Sequence, residues 1–176
     1  GIITDTGSLS YACDNPSTYR IIGRLIAMGI DGEAIHRKIY DTYSEDRMRL
    51  LGFCLFERMK VIEDLHTAII YLTNDDLERF KHKIGDTEGI VNYGLSIKGV
   101  NMSVLLTERD GLIRLSFRSK GSFSVNTFAR DYFEGGGHKN AAGANSYFTM
   151  NETLNFLESK IRQHKTELSE SFEPAP

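Results

Sequence analysis

Residues 135–143 read Gly135-Gly136-Gly137-His138-Lys139-Asn140-Ala141-Ala142-Gly143. Three consecutive glycines remove every Cβ, so a neighbour can approach the backbone to hydrogen-bonding distance and positive φ is open to it. His138, Lys139 and Asn140 then concentrate polar chemistry before a second small run. We read residues 138–142 as the start of a helix whose unpaired N–H groups face the glycine turn, an arrangement that binds phosphate or carboxylate. Taken alone, a glycine cluster is equally a tight turn and a single histidine a surface side chain. The flanking stretches tilt the reading toward a ligand.

Upstream, Leu112 to Ser119 alternates as a strand, with Arg114, Ser116 and Arg118 on one face and Leu115 and Phe117 buried on the other. An arginine at the end of such a strand can grip a phosphate with two parallel hydrogen bonds. From Arg109 to Lys139 there are six basic residues (Arg109, Arg114, Arg118, Lys120, Arg130, Lys139) and three acidic ones (Asp110, Asp131, Glu134), a local balance of +3 in a chain whose net charge is -3. A basic patch in an acidic protein suits a small anionic ligand better than a long duplex.

The order Ser116-Phe117-Arg118-Ser119-Lys120-Gly121, an amphipathic helix, then the triple glycine with His138 and Ala141-Ala142-Gly143 resembles the DHHA1 domain, which closes the active site of the DHH phosphoesterase superfamily. Gly1-Ile2-Ile3-Thr4-Asp5-Thr6-Gly7 resembles the last motif of the catalytic DHH domain in the oligoribonuclease and pAp phosphatase branch. The resemblance implies that Arg118, Ser119, Gly135, Gly136, Gly137 and His138 bind substrate, and that Asp5 is one ligand of a two-manganese centre. His138 would donate to a phosphate oxygen or make a structural contact within its loop. Asp5 on its own would be an Asx turn or a helix cap.

The implied activity is hydrolysis of short oligoribonucleotides or of 3'-phosphoadenosine 5'-phosphate. Cyclic-dinucleotide hydrolysis and a non-catalytic RNA-binding module, as found beside aminoacyl-tRNA synthetases, are the alternatives. Partners are then short single-stranded RNA or a nucleotide bisphosphate, with a homodimer compatible with the reading. The chain contains no Asp-His-His and no second carboxylate motif, so no catalytic residue is assigned and the chain alone is expected to be inactive. It does not begin with methionine, and a fragment is expected.

The fold expected is α/β. Residues 1–43 would form the end of a DHH domain, 44–65 a connector helix, 66–166 a DHHA1 domain with a mixed sheet flanked by helices, and 167–176 a polar tail. Ile2-Ile3-Thr4 would close a strand that presents Asp5 at its end. Helices are expected from the Ser17-Thr18 cap to Met28, over 32–40 after Asp31, from Ser44 through Met59, after Thr73, over 90–97, over 125–133, and over 153–165 after an Asn151 cap. Strands are expected over 67–72, 100–107, 112–119 and 144–148, with Asp110-Gly111 at a hairpin tip.

Two cysteines, Cys13 and Cys54, show neither zinc nor disulfide spacing, and no apolar run reaches membrane-spanning length. A reduced cytoplasmic setting with no membrane contact is expected.

Overall fold

The computed structural model describes residues 1–6, 8–9 and 15–171. Gly7, Ser10, Cys13 and the tail beyond Ser171 lie outside the described residues, as does the side chain of Asp5. The chain divides into two compact units, 1–44 and 45–176.

In the first unit α1 (Ile2–Asp5) replaces the expected strand, because Thr6 amide and hydroxyl groups both donate back to Ile2 O and close a single turn. Helix α2 (Pro16–Ala27) starts earlier than the Ser17-Thr18 signal: Asn15 is the cap, its side chain accepting from Ser17 N, and Pro16 occupies the first helical position. Asp31 caps α3 (Gly32–Tyr40) as its sequence indicates.

The second unit opens with α4 (Glu45–Phe53), which widens into a π turn over Cys54–Arg58. The helix ends there rather than running to residue 65. Met59 starts β1 (Met59–Ile62), an edge strand the sequence did not announce. Beyond it come β2 (Thr67–Leu72), α5 (Asn74–Arg79), α6 (Ile90–Leu95), β3 (Met102–Arg109), β4 (Leu112–Ser119) and α7 (Val125–Tyr132). Asp110 and Gly111 both take positive φ, 55° and 78°, which makes the β3–β4 connection a two-residue turn whose twist matches the strands.

The glycine run is a strand, not a helix start. Glu134–His138 forms β5 and Ala141–Ser146 forms β6, joined by Lys139 and Asn140 in an antiparallel hairpin. Tertiary pairing overrides the local signal: β6 seats Ala142 and Ala144 opposite Phe117 and Leu115 of β4, and all four are buried. A helix at 138–142 would leave that edge of β4 unpaired. Thr149, in a reciprocal capping box with Glu152, starts α8 (Met150–Gln163), two residues before the expected Asn151 cap. Helix α9 (Lys165–Glu170) runs into the expected tail, and its Leu168 is fully buried.

Among the described residues the strands make one mixed sheet in the order β1-β2-β3-β4-β6-β5, parallel only between β2 and β3. One face carries the main core, where Ile113, Leu115 and Phe117 meet Val125 and Phe128 of α7 and Leu157 and Ile161 of α8. On the other face Ile90 and Val91 of α6 cover Ile70 and Leu105 of β2 and β3. That cover stops short of β6 and β5.

Candidate functional site

Side chains on β4 and β6 alternate strictly, while β5 is exposed along its length except at the half-buried Gly136. Ile113, Leu115, Phe117, Ala142, Ala144 and Ser146 point into the core and are buried, while Arg114, Ser116, Arg118, Ala141, Gly143, Asn145, Glu134, Gly136 and His138 occupy the opposite face and none is buried. Register makes rows of them. Arg118 pairs with Ala141, which pairs with His138; Ser116 pairs with Gly143, which pairs with Gly136; Arg114 pairs with Asn145, which pairs with Glu134. Strands are about 4.8 Å apart, so Arg118 and His138 stand roughly 10 Å apart across the small side chain of Ala141.

The middle row carries little bulk: Ser116 brings a short side chain, Gly143 none, and a Cβ on Gly136 would meet Arg130 Nε at 3.4 Å and Asn126 Oδ1 at 3.6 Å, both from α7. A Cβ on Gly143 would meet nothing nearer than Leu115 O at 3.7 Å. Gly143 is therefore not needed for packing, and what its missing side chain leaves open is the outer face itself. Gly135 and Gly137 are required for a different reason. Both are exposed on this edge strand, yet a Cβ on either would come within 2.5 Å of Gly143 O or of Ala141 O in the paired strand. These glycines thus split between two tasks, Gly143 clearing the face and Gly135 and Gly137 allowing the strands to close.

Helix α7 holds the outer edge of β5. Asn126 Oδ1 accepts from Gly137 N at 2.8 Å, which satisfies an edge amide, and Ser124 caps α7 by accepting from Thr127 N. Asn140 fixes the hairpin tip: its Nδ2 donates to Ser119 Oγ at 2.9 Å, and Ser119 Oγ donates in turn to Phe123 O at 2.8 Å. Arg118 Nη1 donates to Phe117 O at 2.8 Å, which turns its guanidinium along the sheet.

Of the sequence-predicted residues, Arg118, Gly136 and His138 come together on the open face. Ser119 does not join them; it is 7% exposed, faces the opposite side and spends its hydroxyl on the Phe123 and Asn140 bonds. Gly135 and Gly137 serve the hairpin. Sequence reasoning missed Gly143 and Asn145 as parts of this face, since both follow from strand register rather than from the helix expected there. Asn140 was also missed, and nothing local signals its three-way contact with the 119–123 loop.

Cys54 is no nucleophile, since burial, with the nearby Asp76 charge, pushes its thiol up to about 12. Among the described residues no group of three His, Cys, Asp or Glu side chains could hold a metal ion. They do not constitute the two-manganese centre that the resemblance implies, and no step is derived through it. No helix among the described residues is long and apolar enough to cross a membrane.

A family model described as the DHHA1 domain matches residues 67–163. This chain belongs to the DHHA1 family. Its DHHA1 domain contains the whole open face, from β4 to the end of β6. Over 167 residues the chain is 30% identical to the bifunctional oligoribonuclease and PAP phosphatase NrnA of Bacillus subtilis, covering 94% of this chain and 52% of that protein. The chain therefore spans about half the length of this curated relative, and the match lies in the DHH/DHHA1 oligoribonuclease branch. The crystal structure of an exopolyphosphatase-related protein from Bacteroides fragilis superposes with a TM-score of 0.93 at 43% identity, over 96% of this chain and 49% of that one. A pGpG-specific phosphodiesterase from Vibrio cholerae shares the fold, with a TM-score of 0.53 at 16% identity over 86% of this chain and 52% of that one.

Proposed function

We propose that this chain is the substrate-holding part of a phosphoesterase that cleaves short oligoribonucleotides, 3'-phosphoadenosine 5'-phosphate, or both. The observation that carries the reading is the Arg118–Ala141–His138 row beside Gly143, on a sheet face where a Cβ at 143 would meet nothing nearer than 3.7 Å and where Arg130 of α7 stands next to Gly136. A guanidinium presents a planar fork of donors that matches a phosphate, and an imidazole across the row offers a further N–H. The open backbone at Gly143 beside them lets a flat ribose or base lie against the sheet. The names of the curated relatives support the same substrate class.

Manganese belongs to the proposal. Asp5 would give one carboxylate to a two-metal centre, and such a centre supplies a metal-activated water and charge stabilisation at phosphorus. The DHHA1 residues bind and orient the ligand, and their contribution is separable from the metal. A cytoplasmic site of action fits a nucleotide substrate and is proposed with it.

Isothermal titration without metal tests the reading, using adenosine 3',5'-bisphosphate and a 5'-phosphorylated dinucleotide as ligands. Both should bind, and Arg118→Ala should weaken each by more than about 1 kcal/mol, since a charge-assisted contact is lost. Unchanged affinity would remove Arg118 from the site. Turnover of the two ligands with manganese, assayed on the protein as the cell makes it, tests the reaction.

A further inference from the structure

Beside the open face, a cleft of about 490 Å³ runs between the 82–89 loop and strands β3 and β4, a size within the range of small-ligand pockets. The sheet contributes Arg118, Arg114 and Arg109 to its wall, and the loop contributes His82, Ile84 and Glu88. Three guanidinium groups and one carboxylate, Glu88, line the cleft, and a second carboxylate, Asp110, stands beside two of the three. From Arg118 to Leu112, the register partner of Arg109, is six residues of strand, roughly 20 Å. That exceeds the separation of the two phosphates within any single nucleotide. One arginine row suffices for a mononucleotide bisphosphate, and the rest of the track has no use for it.

We propose that this cleft is a second subsite, which takes the sugar–phosphate chain beyond the terminal nucleotide of a single-stranded oligoribonucleotide, with Arg109 and Arg114 contacting its phosphates. The inference rests on the substrate reading above and adds to it a length preference. Arg109 lies near Asp110 at 3.3 Å and Arg114 near the same carboxylate at 3.9 Å. Ion pairs this exposed contribute little, so a phosphate can displace Asp110 without a large loss. Ile84 is 84% exposed at the lip of the cleft and offers apolar surface to a ribose or base. The loop that carries it is anchored, with Arg47 Nη2 donating to Glu88 O at 3.1 Å.

The experiment compares adenosine 3',5'-bisphosphate with a 5'-phosphorylated trinucleotide on the full chain, for wild type, Arg109→Ala and Arg118→Ala. Wild type should bind the trinucleotide tighter. Arg109→Ala should weaken the trinucleotide about tenfold, leave the bisphosphate unchanged, and make the trinucleotide's salt dependence shallower by about 0.7 in logarithmic slope, one phosphate's worth on a single strand. Arg118→Ala should weaken both ligands. Equal loss for both ligands in Arg109→Ala, or no loss for the trinucleotide, overturns the second subsite while leaving the first intact. If wild type binds neither ligand, the substrate reading falls and the subsite with it. Arg109→Gln, which retains polar donors without charge, should show the same selective loss if phosphate charge is what the residue reads.

Discussion

At the scale of single residues, the glycines of the 135–143 run are not interchangeable. Gly135→Ala places a Cβ against the Ala144 side chain and within 2.5 Å of Gly143 O, inside a paired hairpin whose backbone must give way to admit it. Overpacking of this kind costs about 1–3 kcal/mol, so urea unfolding of Gly135→Ala should show a clear fall in midpoint. Gly143→Val has space for its side chain and a strand-favouring residue to fill it, so its midpoint should stay close to wild type. Yet the isopropyl group would stand on the open face between Ser116 and Gly136, and nucleotide affinity should drop at least tenfold. A Gly143→Val protein that folds and binds normally would show that no ligand uses that face. The sequence makes the glycine cluster visible but not this division, because cross-strand pairing decides which glycine lies against its neighbour, and locally the cluster reads as a turn leading into a helix over 138–142.

At the scale of elements, legibility followed how local the stabilising contacts are. Strand β4 was readable because its alternation is undisturbed, and α3 and α5 because Asp31 and Thr73 cap them through bonds a few residues away. Failures occurred where a distant partner decides. The hairpin of β5 and β6 exists because β4 needs a neighbour, and α4 gives way after Arg58 because Met59 pairs with Ile70. Helix α9 looked like polar tail for the same reason. Its one apolar anchor, Leu168, is fully buried in the main core, and Asn101 Nδ2 crosses 67 residues of sequence to donate to Leu168 O at 2.8 Å. Leu168→Ala should therefore cost about 3 kcal/mol, in the range for a leucine deleted from a close-packed core. Differential scanning calorimetry checks it; a loss under about 0.5 kcal/mol would mean that α9 contributes no more than a surface segment.

For the 45–176 unit as a whole, two groups whose charges the fold treats oppositely shape stability against pH, the buried Asp76 and the half-buried His82. Asp76 is 5% exposed and meets Arg58 through two bonds, Oδ2 to Nε at 3.0 Å and Oδ1 to Nη2 at 2.7 Å. Burial, the largest single influence, raises its pKa. The bonds from Arg58 and from the Thr73 amide and hydroxyl together outweigh it and hold the carboxyl below its ordinary 3.8. His82 also sits below its ordinary 6.5, because burial and then the Arg109 charge disfavour the imidazolium more than Asp86 favours it. In both cases the unfolded chain takes up its proton first as pH falls, so stability is full above the unfolded pKa and is lost as pH drops through the folded one. The profile should hold level near pH 7 and above, decline as pH falls below 6.5, and decline again below about 4. Equilibrium urea unfolding across this range separates the two, since His82→Gln should abolish the first decline and keep the second. Asp76→Asn should keep the first decline and reduce the second, which Glu152 and Glu158 share because hydrogen bonds hold both below their ordinary 4.5. It should also lower stability at pH 7 by about 3 kcal/mol, because it leaves Arg58 with its charge uncompensated between Phe53 and Tyr71. If both declines survive both substitutions undiminished, the acid sensitivity lies elsewhere and the Arg58–Asp76 pair is only a geometric clasp between the π turn and α5.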